Sequence, residues 1–86
     1  MARLIPAAER IRRARALIQQ ARDLPVPPEG GRGDFSYIAN VKDLMRQARD
    51  LIKFIPLSPS ATDEMKSDVR SIYEEAEQTE QKMLHG

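Results

Sequence analysis

Apolar residues recur at alternating intervals of three and four along three separate segments of the 86-residue chain. This spacing places them along one side of a helix, whereas side chains of a strand alternate between faces at every residue. The sequence therefore predicts three amphipathic helices and an all-α fold. The predicted core positions are Leu4, Ala7, Ile11, Ala14, Ile18 and Ala21 in the first segment, Ile38, Val41, Met45, Ala48, Ile52 and Ile55 in the second, and Met65, Val69, Ile72, Ala76, Thr79 and Met83 in the third.

Proline and glycine separate the three segments. The stretch 25–34 contains three prolines and three glycines, and a second break is Pro56-Leu57-Ser58-Pro59. Proline lacks the N–H that a helix interior uses, and glycine loses the most backbone entropy on folding, so both breaks predict loops. We predict a small antiparallel three-helix bundle in a single domain, 1–86. Its helices are expected at about 6–24, 36–55 and 60–84, with a Pro/Gly-rich loop at 25–34.

Residues at the expected helix starts have the side chains of helix caps. Pro6 suits a first helical turn, where its missing N–H is not needed. Asp34 or Ser36 is expected to accept a hydrogen bond from the free N–H groups that open the second helix. Ser60, followed three residues later by Asp63, resembles a capping box at the start of the third helix.

The net charge of +1 conceals a strong segregation of charge along the chain. Residues 1–24 hold six arginines against two acids, whereas residues 58–86 hold three basic groups against seven acids. A basic first helix beside an acidic third helix would favour one arrangement of the bundle. Exposed ion pairs contribute only about 0–1 kcal/mol each, so the expected effect concerns topology more than stability.

Length and composition argue against several classes of function. The chain has no cysteine, and its single histidine is His85, so we expect no transition-metal site and no cofactor. No apolar run approaches the roughly 20 residues of a membrane span, and the expected location is intracellular, either cytoplasmic or nuclear. Without paired titratable groups or a phosphate-binding loop, neither an enzyme nor a small-molecule substrate is expected.

The apolar residues are few, and some lie beside the predicted core positions. Leu, Ile, Val and Phe make up 19 of the 86 residues, which predicts a thin core. The surplus apolar surface indicates a non-catalytic protein–protein interaction module, a small subunit or domain of a larger intracellular assembly. Its partner would offer a helix or a groove, or be a second copy of the chain. The predicted contact residues are Leu17, Leu24, Phe35, Tyr37, Leu44, Leu51, Phe54 and Leu57.

The arginine cluster of the first segment supports an alternative function. Arg10, Arg12, Arg13 and Arg15 are candidates for contacts with the phosphates of a nucleic acid. Against this, the four residues spread around most of the helix, no aromatic residues lie between them for base stacking, and the overall charge is small. Pairing with the acidic third helix is the competing explanation.

Two short motifs have both a functional and a structural interpretation. Arg32-Gly33-Asp34 resembles the tripeptide recognised by integrin receptors, but Asp34 also suits a helix cap, and the lack of cysteine is unusual for a small extracellular domain. Ser58-Pro59 has the form of a proline-directed phosphorylation site, and Ser-Pro also commonly starts a helix.

A five-residue sequence occurs twice. Gln20–Leu24 and Gln47–Leu51 are both Gln-Ala-Arg-Asp-Leu, and each alanine falls on a predicted core position. Two copies do not make a repeat array, so the match predicts a shared packing role for the two alanines.

Overall fold

A computed structural model describes residues 5–85, apart from the side chain of Arg32. Three α-helices account for most of them: α1 is Ala7–Arg22, α2 is Phe35–Ile52 and α3 is Asp63–His85. Short 3₁₀ turns lie at Gly31–Gly33 and Ile55–Leu57, and the described part of the chain contains no strand. The predicted all-α three-helix bundle is confirmed.

The cross-helix contacts fix the direction of each helix. Arg15 contacts Asp68, and seven residues further along α1 Arg22 contacts Thr79, so α1 and α3 run in the same direction. The helix α2 runs the opposite way, because residues early in α1 line the same surface as residues late in α2. The bundle is therefore an up-down-up arrangement in which consecutive helices are antiparallel.

The core closely follows the predicted periodic positions. Its fully buried residues include four alanines, which let the helices approach each other closely. The buried apolar residues are Ile11, Ala14, Ile18, Ala21, Tyr37, Val41, Met45, Ala48, Ile52, Ile55, Val69, Ile72, Ala76 and Met83. Thr79, a polar residue on a predicted core position, is 1% exposed. Leu4 lies outside the described residues.

The start of α2 departs from the prediction. Ile38 was predicted for the core and Tyr37 for the surface, but Tyr37 is 4% exposed and Ile38 is only partly buried. Tyr37 packs with Val41 and Met83 in a small cluster at one end of the bundle. A long aromatic side chain in the first turn of a helix is able to fill the space at the end of the core, which periodicity alone does not reveal.

Two helix starts use side-chain caps, one predicted and one not. The carboxylate of Asp34 accepts a hydrogen bond from the N–H of Tyr37 at 2.9 Å, so Asp34, and not Ser36, caps α2. At α3 the capping group is the hydroxyl of Thr62, which accepts from the N–H of Met65 at 3.1 Å. The predicted cap at Ser60 is therefore wrong, because α3 begins at Asp63.

Prolines shift the other helix ends. A residue that precedes proline is disfavoured in the helical conformation, and α1 ends at Arg22, shortly before Pro25. The helix α2 ends at Ile52, and the chain continues through a 3₁₀ turn that contains Pro56, whose ring nitrogen has no N–H to extend the helical hydrogen bonds. Each of these helices is therefore two or three residues shorter at its C-terminus than the sequence predicted.

Candidate functional site

A depression of about 610 Å³ follows the outer face of the α1–α2 pair. Ala16 and Leu17 of α1 and Leu51 of α2 give it apolar walls. The remaining lining residues are mostly polar: Ile5, Arg10, Arg13, Gln20, Gln47 and Asp50. This depression lies between two antiparallel helices that both also pack against α3.

A second depression, of about 640 Å³, lies at the end of the bundle where α1 begins, α2 ends and α3 begins. Its lining is mainly apolar and consists of Ile5, Ala7, Arg10, Phe54, Ile55, Ser58, Ser60, Ala61 and Met65. Ile5 and Arg10 line both depressions, so the two form one continuous surface. We call this surface, with its residues from both depressions, the apolar track.

Two large apolar side chains are exposed at the end of the apolar track. Phe54 is 62% exposed and Leu57 is 76% exposed. The ammonium of Lys53 lies 5.1 Å from the centre of the Phe54 ring, a cation–π distance that covers one part of the ring and leaves the rest in contact with solvent. Phe54 lines the second depression, and Leu57 lies in the same turn of the chain. Exposed apolar groups close to a depression are typical of a surface that binds another molecule.

Arg10 occupies a distinct position among the arginines of α1. Its Nε donates a hydrogen bond to the backbone oxygen of Ile5 at 3.0 Å. Within residues 5–85, none of the ion pairs includes Arg10. The apolar track therefore contains a cation without a carboxylate partner in the described part of the chain.

The other predicted phosphate-binding arginines are paired with carboxylates. Arg12 and Arg13 both pair with Glu9 of their own helix, and the Arg13 Nε–Glu9 Oε1 distance is 3.1 Å. The hydrogen bond from Arg13, followed by the charge and hydrogen bond of Arg12, holds the pKa of Glu9 below its ordinary value. Arg15 turns towards α3 instead and lies 3.3 Å from Asp68.

The four arginines consequently do not share one surface. Pairing with the acidic third helix, the competing explanation for the cluster, holds for Arg15 in the described structure, whereas Arg12 and Arg13 pair within α1.

The eight predicted contact residues lie in several environments. Leu17 and Leu51 line the apolar track, Phe54 and Leu57 are exposed at its end, and Leu44 is half-buried against the main core. Leu44 and Leu51 both pack on the core, so aspartate at either position would lower the stability of the fold as well as any binding.

The remaining predicted contacts lie at the opposite end of the bundle. Leu24 packs against the cluster that contains Tyr37, and Phe35 is 89% exposed at the first position of α2. Tyr37 is wrong as a surface contact, since its ring is buried and its hydroxyl has no hydrogen-bond partner among the described residues. Phe35 lies about 27 Å from the far end of α2, given a rise of about 1.5 Å per residue, and so lies away from Phe54.

The sequence patterns did not identify three residues that line the apolar track: Ile5, Ala16 and Met65. Met65 was predicted for the core, but it is only half-buried and lies at the edge of the main core. Ile5 lies outside the periodic pattern, immediately before Pro6. Ala16 is exposed and lines the depression between α1 and α2, and no pattern in the sequence marks it.

The Arg-Gly-Asp motif ends at the start of α2, and His85 is the last residue of α3, where it lines a depression with Gln78, Gln81 and Lys82. Asp34 uses its carboxylate to cap α2, and the side chain of Arg32 lies outside the described atoms. In residues 5–85 no group of three His, Asp or Glu side chains is placed to hold a metal ion. None of the helices described has the length and apolar character to cross a membrane.

Comparison of the chain with protein-family models, with curated proteins and with solved structures found no match. Function must therefore be inferred from the surface chemistry.

Proposed function

We propose that this chain is a non-catalytic docking module that binds an amphipathic helix of a partner protein in the apolar track, with acidic residues of that helix near Arg10. Such a helix would present apolar anchors at positions i, i+3, i+4 and i+7. The observation that carries the proposal is the exposure of Phe54, which lines the second depression, and of Leu57 in the same turn.

The shape of the apolar track supports a helical occupant. Its long part runs between two antiparallel helices, and its apolar walls are formed by Leu17 and Leu51 on opposite sides. Both side chains are half-buried, so a partner would complete their burial without any rearrangement of the core. Each additional Å² of apolar surface removed from water contributes about 25 cal/mol.

The charge of the apolar track supports an acidic occupant. Arg10 is common to both depressions and has no carboxylate partner in the described residues, so an anionic side chain would find a cation at the centre of the surface. Charge complementarity of this kind contributes mainly to orientation and to the rate of association.

The arrangement of the arginines weighs against the nucleic-acid alternative. Three of the four candidate residues already have carboxylate partners, and a phosphate would have to displace those partners. A salt titration separates the two functions. Phosphate binding weakens steeply as salt increases, whereas docking that is mainly apolar, with one charge contact at Arg10, weakens only slightly.

Two synthetic peptides of about five helical turns test the proposal. Both carry the same leucines at i, i+3, i+4 and i+7, and their flanking positions are glutamate in one and lysine in the other. We expect the glutamate peptide to bind more tightly and to shift the backbone amide resonances of Ile5, Leu17 and Leu51. The double variant Phe54→Ser/Leu57→Ser should weaken this binding by about tenfold or more.

The control variant is Phe35→Ser, which removes a more exposed ring at the opposite end of α2. It should bind the glutamate peptide with unchanged affinity. Equal binding by the Phe54/Leu57 variant, or resonance shifts confined to α3, would overturn the proposal. Concentration-dependent sedimentation that the Phe54/Leu57 variant abolishes would identify a second copy as the occupant instead.

A further inference from the structure

Ser58 lies in the connection between α2 and α3, outside both helices. Its backbone has φ −76° and ψ 134°, an extended conformation, and Pro59 follows it at the second position of a turn closed by a hydrogen bond from the N–H of Ala61 to the oxygen of Ser58. The side chain is exposed. Because α3 begins at Asp63 and is capped by Thr62, Ser58-Pro59 is not a helix start.

The hydroxyl of Ser58 belongs to a small polar group on the rim of the apolar track. It lies 2.9 Å from the hydroxyl of Ser60 and accepts a long hydrogen bond, 3.4 Å, from the N–H of that residue. Both serines line the second depression together with Arg10. A group attached to Ser58 would therefore share this depression with Arg10.

We propose that Ser58 is a phosphorylation site for a proline-directed serine kinase and that Arg10 binds the resulting phosphate. In the reaction the Ser58 Oγ attacks the γ-phosphorus of ATP and forms a new O–P bond. The bond from that phosphorus to the β,γ-bridging oxygen breaks, ADP leaves, and the hydroxyl proton passes to a base of the kinase. The inference does not depend on the proposed docking function.

Arg10 is suited to this role by its geometry and by its lack of competing partners. A guanidinium donates several hydrogen bonds in one plane, which matches the oxygens of a phosphate. Nε of Arg10 is held by the backbone oxygen of Ile5, while no carboxylate of residues 5–85 pairs with the rest of the group. The phosphate would connect the loop between α2 and α3 to α1.

The charges around Ser58 act in both directions. Asp63 and Glu64 occupy the first turn of α3 and repel a phosphate on the preceding loop, whereas the positive pole at the start of the same helix attracts it. Arg10 lines the same depression and would supply a full positive charge to a phosphate of about −1.5 to −2 charges.

The first test is phosphorylation of the full folded chain by a purified proline-directed kinase with ATP, read by mass spectrometry of proteolytic fragments. We expect one phosphate on Ser58, loss of this modification in Pro59→Ala, and its retention in Ser60→Ala. No incorporation into the folded chain, or incorporation at Ser60, would contradict the proposal.

The second test locates the partner of the phosphate. In a ³¹P NMR titration, the second pKa of the Ser58 phosphate should lie lower in the folded protein than in the same protein unfolded in urea, because a nearby cation favours the dianion. Arg10→Gln should return this pKa towards the unfolded value, whereas the matched change Arg12→Gln should leave it lowered. An equal effect of the two variants would exclude Arg10 as the phosphate-binding residue.

Discussion

The guanidinium of Arg15 in α1 lies 3.3 Å from the carboxylate of Asp68 in α3. The same arginine lies 3.9 Å from Glu75, which follows Asp68 by seven residues, or about two helical turns, along α3. In the described part of the chain, both ion pairs that join α1 to α3 use Arg15. The basic first helix and the acidic third helix, which run in the same direction, are thus joined by ion pairs at a single residue, Arg15, in the described part of the chain.

We expect Arg15→Gln to lower the free energy of unfolding by less than about 1 kcal/mol at low salt, because all three side chains are partly exposed. The difference from the unmodified chain should shrink at high salt, where the pair is screened. Urea denaturation followed by circular dichroism measures both values. A double-mutant cycle with Asp68→Asn isolates the pair, and a coupling that does not respond to salt would contradict this origin.

Tyr37→Phe should raise the free energy of unfolding by about 1 kcal/mol. The hydroxyl of Tyr37 is buried without a partner in the described residues, and the variant removes this unsatisfied group while keeping the ring. Tyr73→Phe is the control, because Tyr73 is 38% exposed. That change should remain within about 0.5 kcal/mol. A loss of stability in Tyr37→Phe would indicate that the hydroxyl has a partner.

Thr62→Ala should lower the free energy of unfolding by about 1 kcal/mol, because the hydroxyl that caps α3 is lost. Ser60→Ala removes a hydroxyl from the same loop that does not cap the helix, and its effect should stay within about 0.5 kcal/mol. Thermal or urea denaturation of the two variants side by side decides which residue is the cap. Equal losses would mean that the start of α3 extends to Ser60.

Ala48→Leu should destabilise the fold by about 1–3 kcal/mol, because Ala48 is fully buried in the main core cluster. The control is Ala39→Leu on the exposed side of the same helix, with an effect of about 0.5 kcal/mol or less. Ala21, the matching residue of the five-residue repeat, is equally buried, so Ala21→Leu should behave like Ala48→Leu. Tolerance of leucine at both positions would show that the helices are not in close contact there.

The carboxyl of Glu9 should titrate below its ordinary pKa, because hydrogen bonds from Arg13 and Arg12 favour its ionised form. A pKa lowered by folding stabilises the native state above the unfolded pKa, and this contribution is lost as the pH falls through the folded pKa. A ¹³C NMR titration measures the value directly. Arg13→Gln should raise it and Arg15→Gln should not, and equal effects would exclude the hydrogen bond as the cause.

The fold and most of the core could be predicted from the sequence, because a helix that packs closely against its neighbours needs apolar residues along one side, and the periodic spacing of apolar residues reveals that side. Every predicted core alanine from Ala14 to Ala76 is fully buried. Tyr37 and Ile38 exchange roles because, at the end of a bundle, the length of a side chain matters as much as its angle around the helix. The cap of α3 was assigned to the wrong residue because Ser60 and Thr62 both have a hydroxyl group that is able to cap a helix, and the sequence does not distinguish between them.

The candidate site was predicted only in part. Leu17, Leu51, Phe54 and Leu57 were identified, since each carries apolar surface outside the periodic positions. The hollow between α1 and α2 depends on how the two helices cross, and the second depression is lined by Arg10 together with Ser58 and Ser60, which are 48 and 50 positions away in the sequence. Sequence patterns of local period contain no information about such contacts.

The odd number of helices has an electrostatic consequence for the two ends of the bundle. The backbone dipoles of α1 and α3 point the same way, and α2 cancels one of them, so one helix dipole stays uncompensated. Its positive pole, equivalent to about half an elementary charge, lies where α1 and α3 begin, the end that carries Phe54, Leu57 and Ser58. The backbone therefore gives this domain a polarity that would persist if every charged side chain were neutralised, and an approaching molecule would experience the two ends differently.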